Sequence, residues 1–223
     1  MGVASGGRRG GRVSSAIRTS PRSRLVNRLA LAVALLGALA GPAAAASGTV
    51  NYAFGGEGGA AWFFLNDAKI EKIQMDPQWE AGGYFTVISD FAWARNFAFE
   101  LHYFRSQGHG QFQKNSTTQT FDVEVDRPSF NFTYFFGGTI YEPFLSGGFG
   151  VGHFVYRNRT GTFIRRTTEE WDAAINVGGG LDFRIGRVFT VGARILYVYF
   201  AGARFVSGYV SAISPTLRIG ARF

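Results

Sequence analysis

The chain contains no cysteine in its 223 residues, so neither a disulfide framework nor a thiolate metal site can be built from it. Proline is scarce, at 6 residues, and no apolar run after residue 46 reaches the ~20 residues of a membrane-spanning helix. Acidic residues are missing from the first 46 positions, while Arg8, Arg9, Arg12, Arg18, Arg22, Arg24 and Arg28 all fall there. Taking these seven from the 23 basic residues leaves 16 against 15 acidic ones, so the formal charge of +8 belongs to the leader. The remainder has no basic stripe of the kind that neutralises phosphates, which excludes a nucleic-acid partner. Glycine (31) and phenylalanine (23) are plentiful instead. Aromatic richness excludes disorder, and the pairing with glycine suits crowded, curved strands.

The leader reads as an export signal. An Arg- and Ser-rich start is followed by the apolar run Leu29–Ala40, and then by the small residues Ala44, Ala45 and Ala46. That order is the secretory pattern, with cleavage expected after Ala46. Two other readings fit less well. A retained anchor would need a longer run, and an organelle transit peptide would be amphipathic. The long n-region also admits a true start nearer Val13 or Leu25. The expected organisation is a signal peptide over 1–46 and one domain over 47–223.

Period-two alternation recurs through that domain, the mark of half-buried strands. Phe189, Val191, Ala193, Ile195, Tyr197 and Tyr199 alternate with Thr190, Gly192 and Arg194. Ile213, Pro215, Leu217, Ile219, Ala221 and Phe223 alternate with Ser214, Thr216, Arg218, Gly220 and Arg222. Trp171–Ile185 and the stretches around Phe97–Tyr103 and Phe130–Phe136 repeat the pattern. The strands are expected at 48–62, 79–92, 95–106, 119–136, 143–157, 168–185, 188–202 and 208–223. Connections near 94–96, 137–142 and 186–187 are short. Segments 64–78, 107–118 and 158–167 are polar and read as longer loops. Short turns at one end and long loops at the other is the organisation of outer-membrane barrels.

A soluble sandwich would also alternate. Here, however, the apolar face is dominated by aromatics that cluster near strand ends, where rings match the lipid headgroup level. The opposite face combines small residues with charges of both signs. An eight-stranded barrel has room inside only for side chains, and a buried charge must find a partner. The expected interior network is Glu57, Glu100, His102, Asp172, Asp182, Arg184, Arg194, Arg218 and Arg222. In hydrocarbon a sheet must close, because an open edge would leave backbone groups unpaired. The expected fold is therefore all-β, an eight-stranded antiparallel up-and-down transmembrane barrel.

The stretches EPFLSGGFGVGHF, AINVGGGLDFRIGRVFTVGARILYVYF and SPTLRIGARF resemble the small outer-membrane β-barrel superfamily, which includes OmpW-like, OmpX-like and OmpA-barrel-like proteins. The resemblance spans 47–223 without singling out a subfamily. It implies a bacterial outer-membrane location, and partnership with outer-membrane lipid and lipopolysaccharide. It also implies that Phe223 acts as the C-terminal signal read by the outer-membrane insertion machinery. A monomer is expected.

Three histidines bear on chemistry. His102 falls on the interior face beside Glu100, an arrangement that could serve acid–base work but reads more simply as a packed hydrogen-bonding one. His153 falls on the lipid face near the outer rim. The superfamily's lipid A deacylases would place a serine near it, yet Phe154, Val155 and Tyr156 follow. His109, flanked by glycines, reads as a solvated loop residue. No catalytic, cofactor or metal set is expected. The basic segment with Arg157, Arg159, Arg165 and Arg166 reads either as a lipopolysaccharide-contacting loop or as an ordinary solvated one. Two functions follow. One is a plugged, non-enzymatic barrel serving envelope integrity or surface interaction. The other is an OmpW-like narrow conduit for small hydrophobic molecules, for which inward Leu196, Val198 and Phe200 offer a lining.

Overall fold

The computed structural model describes residues 50–65, 72–89, 96–114, 117–138, 140–160, 163–202 and 209–223. The expected signal peptide and its cleavage site lie outside them. The strands are β1 (Val50–Leu65), β2 (Lys72–Met75), β3 (Gln78–Ser89), β4 (Phe97–Lys114), β5 (Thr117–Phe135), β6 (Tyr141–Thr160), β7 (Phe163–Ile185), β8 (Phe189–Ala201) and β9 (Val210–Arg222). Each pairs antiparallel with its neighbours, and β1 pairs with β9, so the sheet closes on itself. β2 and β3 are one stave of the barrel broken at Asp76–Pro77, since both lie against β4 (Met75↔Gly110, then Trp79↔Gln107). Proline has no N–H to give to a ladder. Asp76 N keeps the stave attached by donating to the His109 carbonyl at 3.1 Å. The barrel thus has eight staves, as the alternation predicts.

The outside is a surface for lipid rather than for water. Leu217 is 71% exposed, Trp171 66% and Phe149 60%, and Ile175, Ile195, Ile219 and Phe189 lie open beside them. Rings form a continuous band across strands, with Phe99, Phe130 and Phe149 at centroid separations of 5.9 and 5.8 Å. So large an apolar surface would drive a soluble protein to aggregate. Around a closed barrel it is the surface a bilayer requires.

Where they are described, the three expected loops are largely strand. His109 lies in β4, Arg157 and Arg159 in β6, and Arg165 and Arg166 in β7; residues 66–71, 115–116 and 161–162 of these segments are not among those described. The staves β4 to β7 are 18, 19, 20 and 23 residues long, against 13 for β8 and for β9. A tilted membrane strand needs only ~9–11, so the excess forms a tall sheet rising beyond the bilayer on one side. These residues stay in the sheet because inward Phe112, Phe121 and Tyr156 pack on one another and on the cluster below, while polar pairs also link neighbouring strands. Arg105–Glu124 at 3.0 Å and Asn158–Gln119 at 3.2 Å are two such pairs.

At the opposite end the β7–β8 turn is tight. Gly186 has φ of +69°, the left-handed conformation that glycine alone adopts without strain, and it turns β7 into β8 within a few residues. The C-terminus is tied into the first strand here, as Phe223 N donates to the Tyr52 carbonyl at 2.8 Å.

Candidate functional site

The lumen is filled in layers. Toward the tall end the inward residues are apolar: Phe63, Val123, Val125, Phe154, Leu196, Val198, Phe200, Val210 and Ala212 form one buried cluster. Phe200 meets Phe154 edge-on at 4.9 Å and Phe63 at 6.4 Å. These side chains pack on each other across the lumen. Leu65, Ile73, Met75, Phe112 and Tyr156 continue the packing upward from β1, β2, β4 and β6. A smaller cluster of Ile88, Ala98, Phe135 and Phe144 lies toward the short-turn end.

Between them lies a layer of ions. Arg194 Nη2 donates to Glu57 Oε2 at 2.8 Å, and its Nη1 lies 3.3 Å from Glu100 Oε1. Arg218 Nη2 donates to Glu100 Oε2 at 3.0 Å, and its Nε sits 3.6 Å from both Glu57 and Asp182. The side chains of Glu57, Glu100 and Arg194 are wholly buried, and Arg218 is 3% exposed. Thr86 and Thr216 hydroxyls complete the set, donating to Glu100 at 3.1 Å and to Glu57 at 3.0 Å. Two arginines shared by two glutamates leave no charge alone, the condition for ions to persist in a dry interior.

The network also rests on aromatic faces. The Arg218 guanidinium lies 4.2 Å from the Tyr84 ring centroid, and Arg194 lies 5.4 Å from that of Phe104. Tyr84 fits because Gly55 and Gly220 have no side chain. A Cβ at either would overlap the Tyr84 hydroxyl oxygen.

Of the expected interior charges, the structure brings together Glu57, Glu100, His102, Asp182, Arg194 and Arg218. His102 lies against the Glu100 carboxylate and within 3.1 Å of the Arg194 guanidinium, between the rings of Tyr84 and Phe104. It is enclosed by these partners, with no exposed side-chain surface. Asp172 is buried elsewhere, two residues from Ala174 of the tall-end apolar cluster. Arg184 and Arg222 are a correction. They belong to a separate cluster at the short-turn mouth, where both donate to Glu142, Arg222 at 3.1 Å. The tight β7–β8 turn and the end of β9 leave them two or more residues short of the ion layer.

Sequence reasoning missed Glu80, Arg127 and Glu142. Arg127 donates to Glu80 at 3.0 Å, fully inside, and Ser214 also donates to Glu80. Strand β3 hid Glu80 because bulky residues occupy both of its faces. Pro128 beside Arg127 obscured the alternation of β5.

Outside, above the aromatic band, the tall sheet carries a charged collar. Glu124 accepts from Arg105 at 3.0 Å and from Arg157 at 2.5 Å. Hydrogen bonding to Glu124 is the main reason the Arg157 guanidinium is held charged even above its ordinary range. The Tyr103 hydroxyl donates to Asp126 at 2.6 Å, and His109 pairs with Asp122 at 2.6 Å. His109 is thus a strand residue rather than a loop one, partnered by Asp122 yet still solvated, with 73% of its side chain exposed. His153 faces outward as its register predicts, stacked on Trp171 at 4.3 Å. The side chains of Arg159, Arg165 and Arg166 lie outside the described residues. Phe223 is half exposed on the outer face, stacked on Phe54 at 5.8 Å.

An apolar, aromatic exterior around a charged, close-packed lumen defines a membrane-spanning β-barrel of the small outer-membrane type. No protein-family model matches the chain, and the comparison with curated proteins gives no match. Solved structures do share the fold. Neisserial surface protein A is 12% identical, with 79% of this chain and 98% of that one covered at a TM-score of 0.51. A major outer-membrane protein from Thermus thermophilus is 9% identical, covering 78% and 99% at a TM-score of 0.50.

Proposed function

We propose that this chain is an integral outer-membrane barrel whose lumen is closed and which works through its outer surface, in envelope integrity or surface interaction. The carrying observation is the ion layer, which crosses the lumen from β1 and β4 to β8 and β9 with its side chains buried. An eight-stranded barrel has no spare width for a channel beside such a layer. Because short turns are periplasmic in outer-membrane barrels, the tall sheet and its collar face outward. There the collar sits at the level of anionic lipopolysaccharide headgroups. Arg105 and Arg157, each about one-third exposed, are the groups proposed to meet lipopolysaccharide phosphate. Phe223, open on the outer face, is available to the insertion machinery.

The test is planar-bilayer conductance of the refolded full chain, after a heat-dependent gel shift has shown that it folds. A folded protein without discrete current steps is the expected result, and reproducible steps would overturn the closed-lumen reading. The conduit reading draws on the apolar tall-end cluster, but its rings already occupy one another's space. Saturable binding of a small hydrophobic dye, lost in a Phe200→Trp variant, would restore that reading.

A further inference from the structure

We infer that the short-turn mouth of the barrel binds the phosphate of an anionic phospholipid in the inner leaflet. This rests on the outer-membrane reading, in which the short turns face the periplasm. A cavity of about 370 Å³ opens there, lined by Asn51, Arg184, Arg187, Thr190, Arg222 and the rings of Phe189 and Phe223. Three arginines are among its lining residues. Glu142 accepts from both Arg184 and Arg222. Among the described residues Arg187 has no carboxylate partner, and the buried Nε–H of Arg184 has no acceptor. Arg187 and the Arg184 Nε–H therefore leave cationic donors unused among the described residues of the pocket.

The neighbours say what kind of anion fits. Guanidinium donors in a fork match phosphate oxygens, and the Asn51 and Thr190 side chains add neutral polar groups. A free phosphate would need nothing more. Phe189 and Phe223, however, belong to the lipid-facing surface, 59% and 47% exposed, and they border the same cavity. A headgroup held by the arginines would have its acyl chains leave directly along those rings. Cations and aromatic rings at one membrane interface is the arrangement that recognises a lipid rather than a soluble ion.

The experiment reconstitutes the full chain in bilayer discs containing phosphatidylglycerol and phosphatidylethanolamine, with folding checked by the gel shift. Native mass spectrometry then counts the lipids that stay bound. Selective retention of phosphatidylglycerol is expected. It should fall about tenfold in Arg187→Ala, a turn residue whose loss leaves the Glu142 cluster intact, and be only partly kept in Arg187→Lys, which supplies the charge without the fork. Equal retention of both lipids, or an unchanged Arg187→Ala variant, overturns the proposal. So does displacement of the lipid by inorganic phosphate that binds as tightly on its own. A chain that does not enter the bilayer overturns the membrane reading with it, whereas a chain that enters without lipid preference overturns this inference alone.

Discussion

The ion layer of the lumen and the ion collar of the tall sheet use the same chemistry in opposite surroundings. Glu100 inside holds Arg194 and Arg218, and Glu124 outside holds Arg105 and Arg157, each carboxylate clamped by two guanidiniums. The Glu100 side chain is wholly buried, while Glu124 keeps 20% of its surface. That difference decides what each is for. Inside, the pairs are obligatory, because either partner left alone would be a bare charge in a dry space. Outside, water and salt can take over either partner, so the pairs contribute little to stability. The collar is therefore free to exchange protein partners for external ones, and the lumen network is not.

Four substitutions would break or sharpen this contrast, read as shifts in urea unfolding followed by the gel shift. Glu100→Ala should have the largest effect, about 4 kcal/mol of destabilisation, because it takes from two buried arginines a carboxylate that both use. Phe200→Ala should cost about 3 kcal/mol through the cavity it leaves in the tall-end cluster, and its effect should be indifferent to salt. Gly220→Ala should cost about 2 kcal/mol, since the new methyl displaces Tyr84 from beneath Arg218. Glu124→Gln should cost less than about 1 kcal/mol, and that small loss should vanish at high ionic strength. A salt-insensitive loss for Glu124→Gln as large as that for Glu100→Ala would erase the distinction between the two layers.

Most of the barrel was legible where one face meets lipid. In β8 every second residue from Phe189 to Tyr199 is apolar because the bilayer accepts nothing else, and the alternation fixes the register. Legibility failed in two places for different reasons. Glycines in β1 show no face, so Glu57 could be assigned to the lumen but its partners could not. In the tall sheet neither face meets hydrocarbon. The alternation there is between polar residues of different roles, and a composition rich in Thr, Gln and Arg looks like loop. Phe112, Phe121 and Tyr156, packed on one another across neighbouring strands, were the available sign that this region remains sheet. The ion layer was only partly legible, because its partners come from distant strands. Arg194 and Glu100 are 94 positions apart, and no local pattern couples them.

The ion layer also acts as a proofreader of closure. Arg218 sits on β9, the last stave to be made, and the carboxylates it serves sit on β1 and β4, among the first. Until β9 docks in register, Glu57 and Glu100 lack one of their two cations. A barrel zipped shut one residue out of step would turn Arg218 toward lipid. Correct circumference, correct register and the pairing of the buried carboxylates are therefore reached in a single event, which makes a half-closed barrel an unstable one.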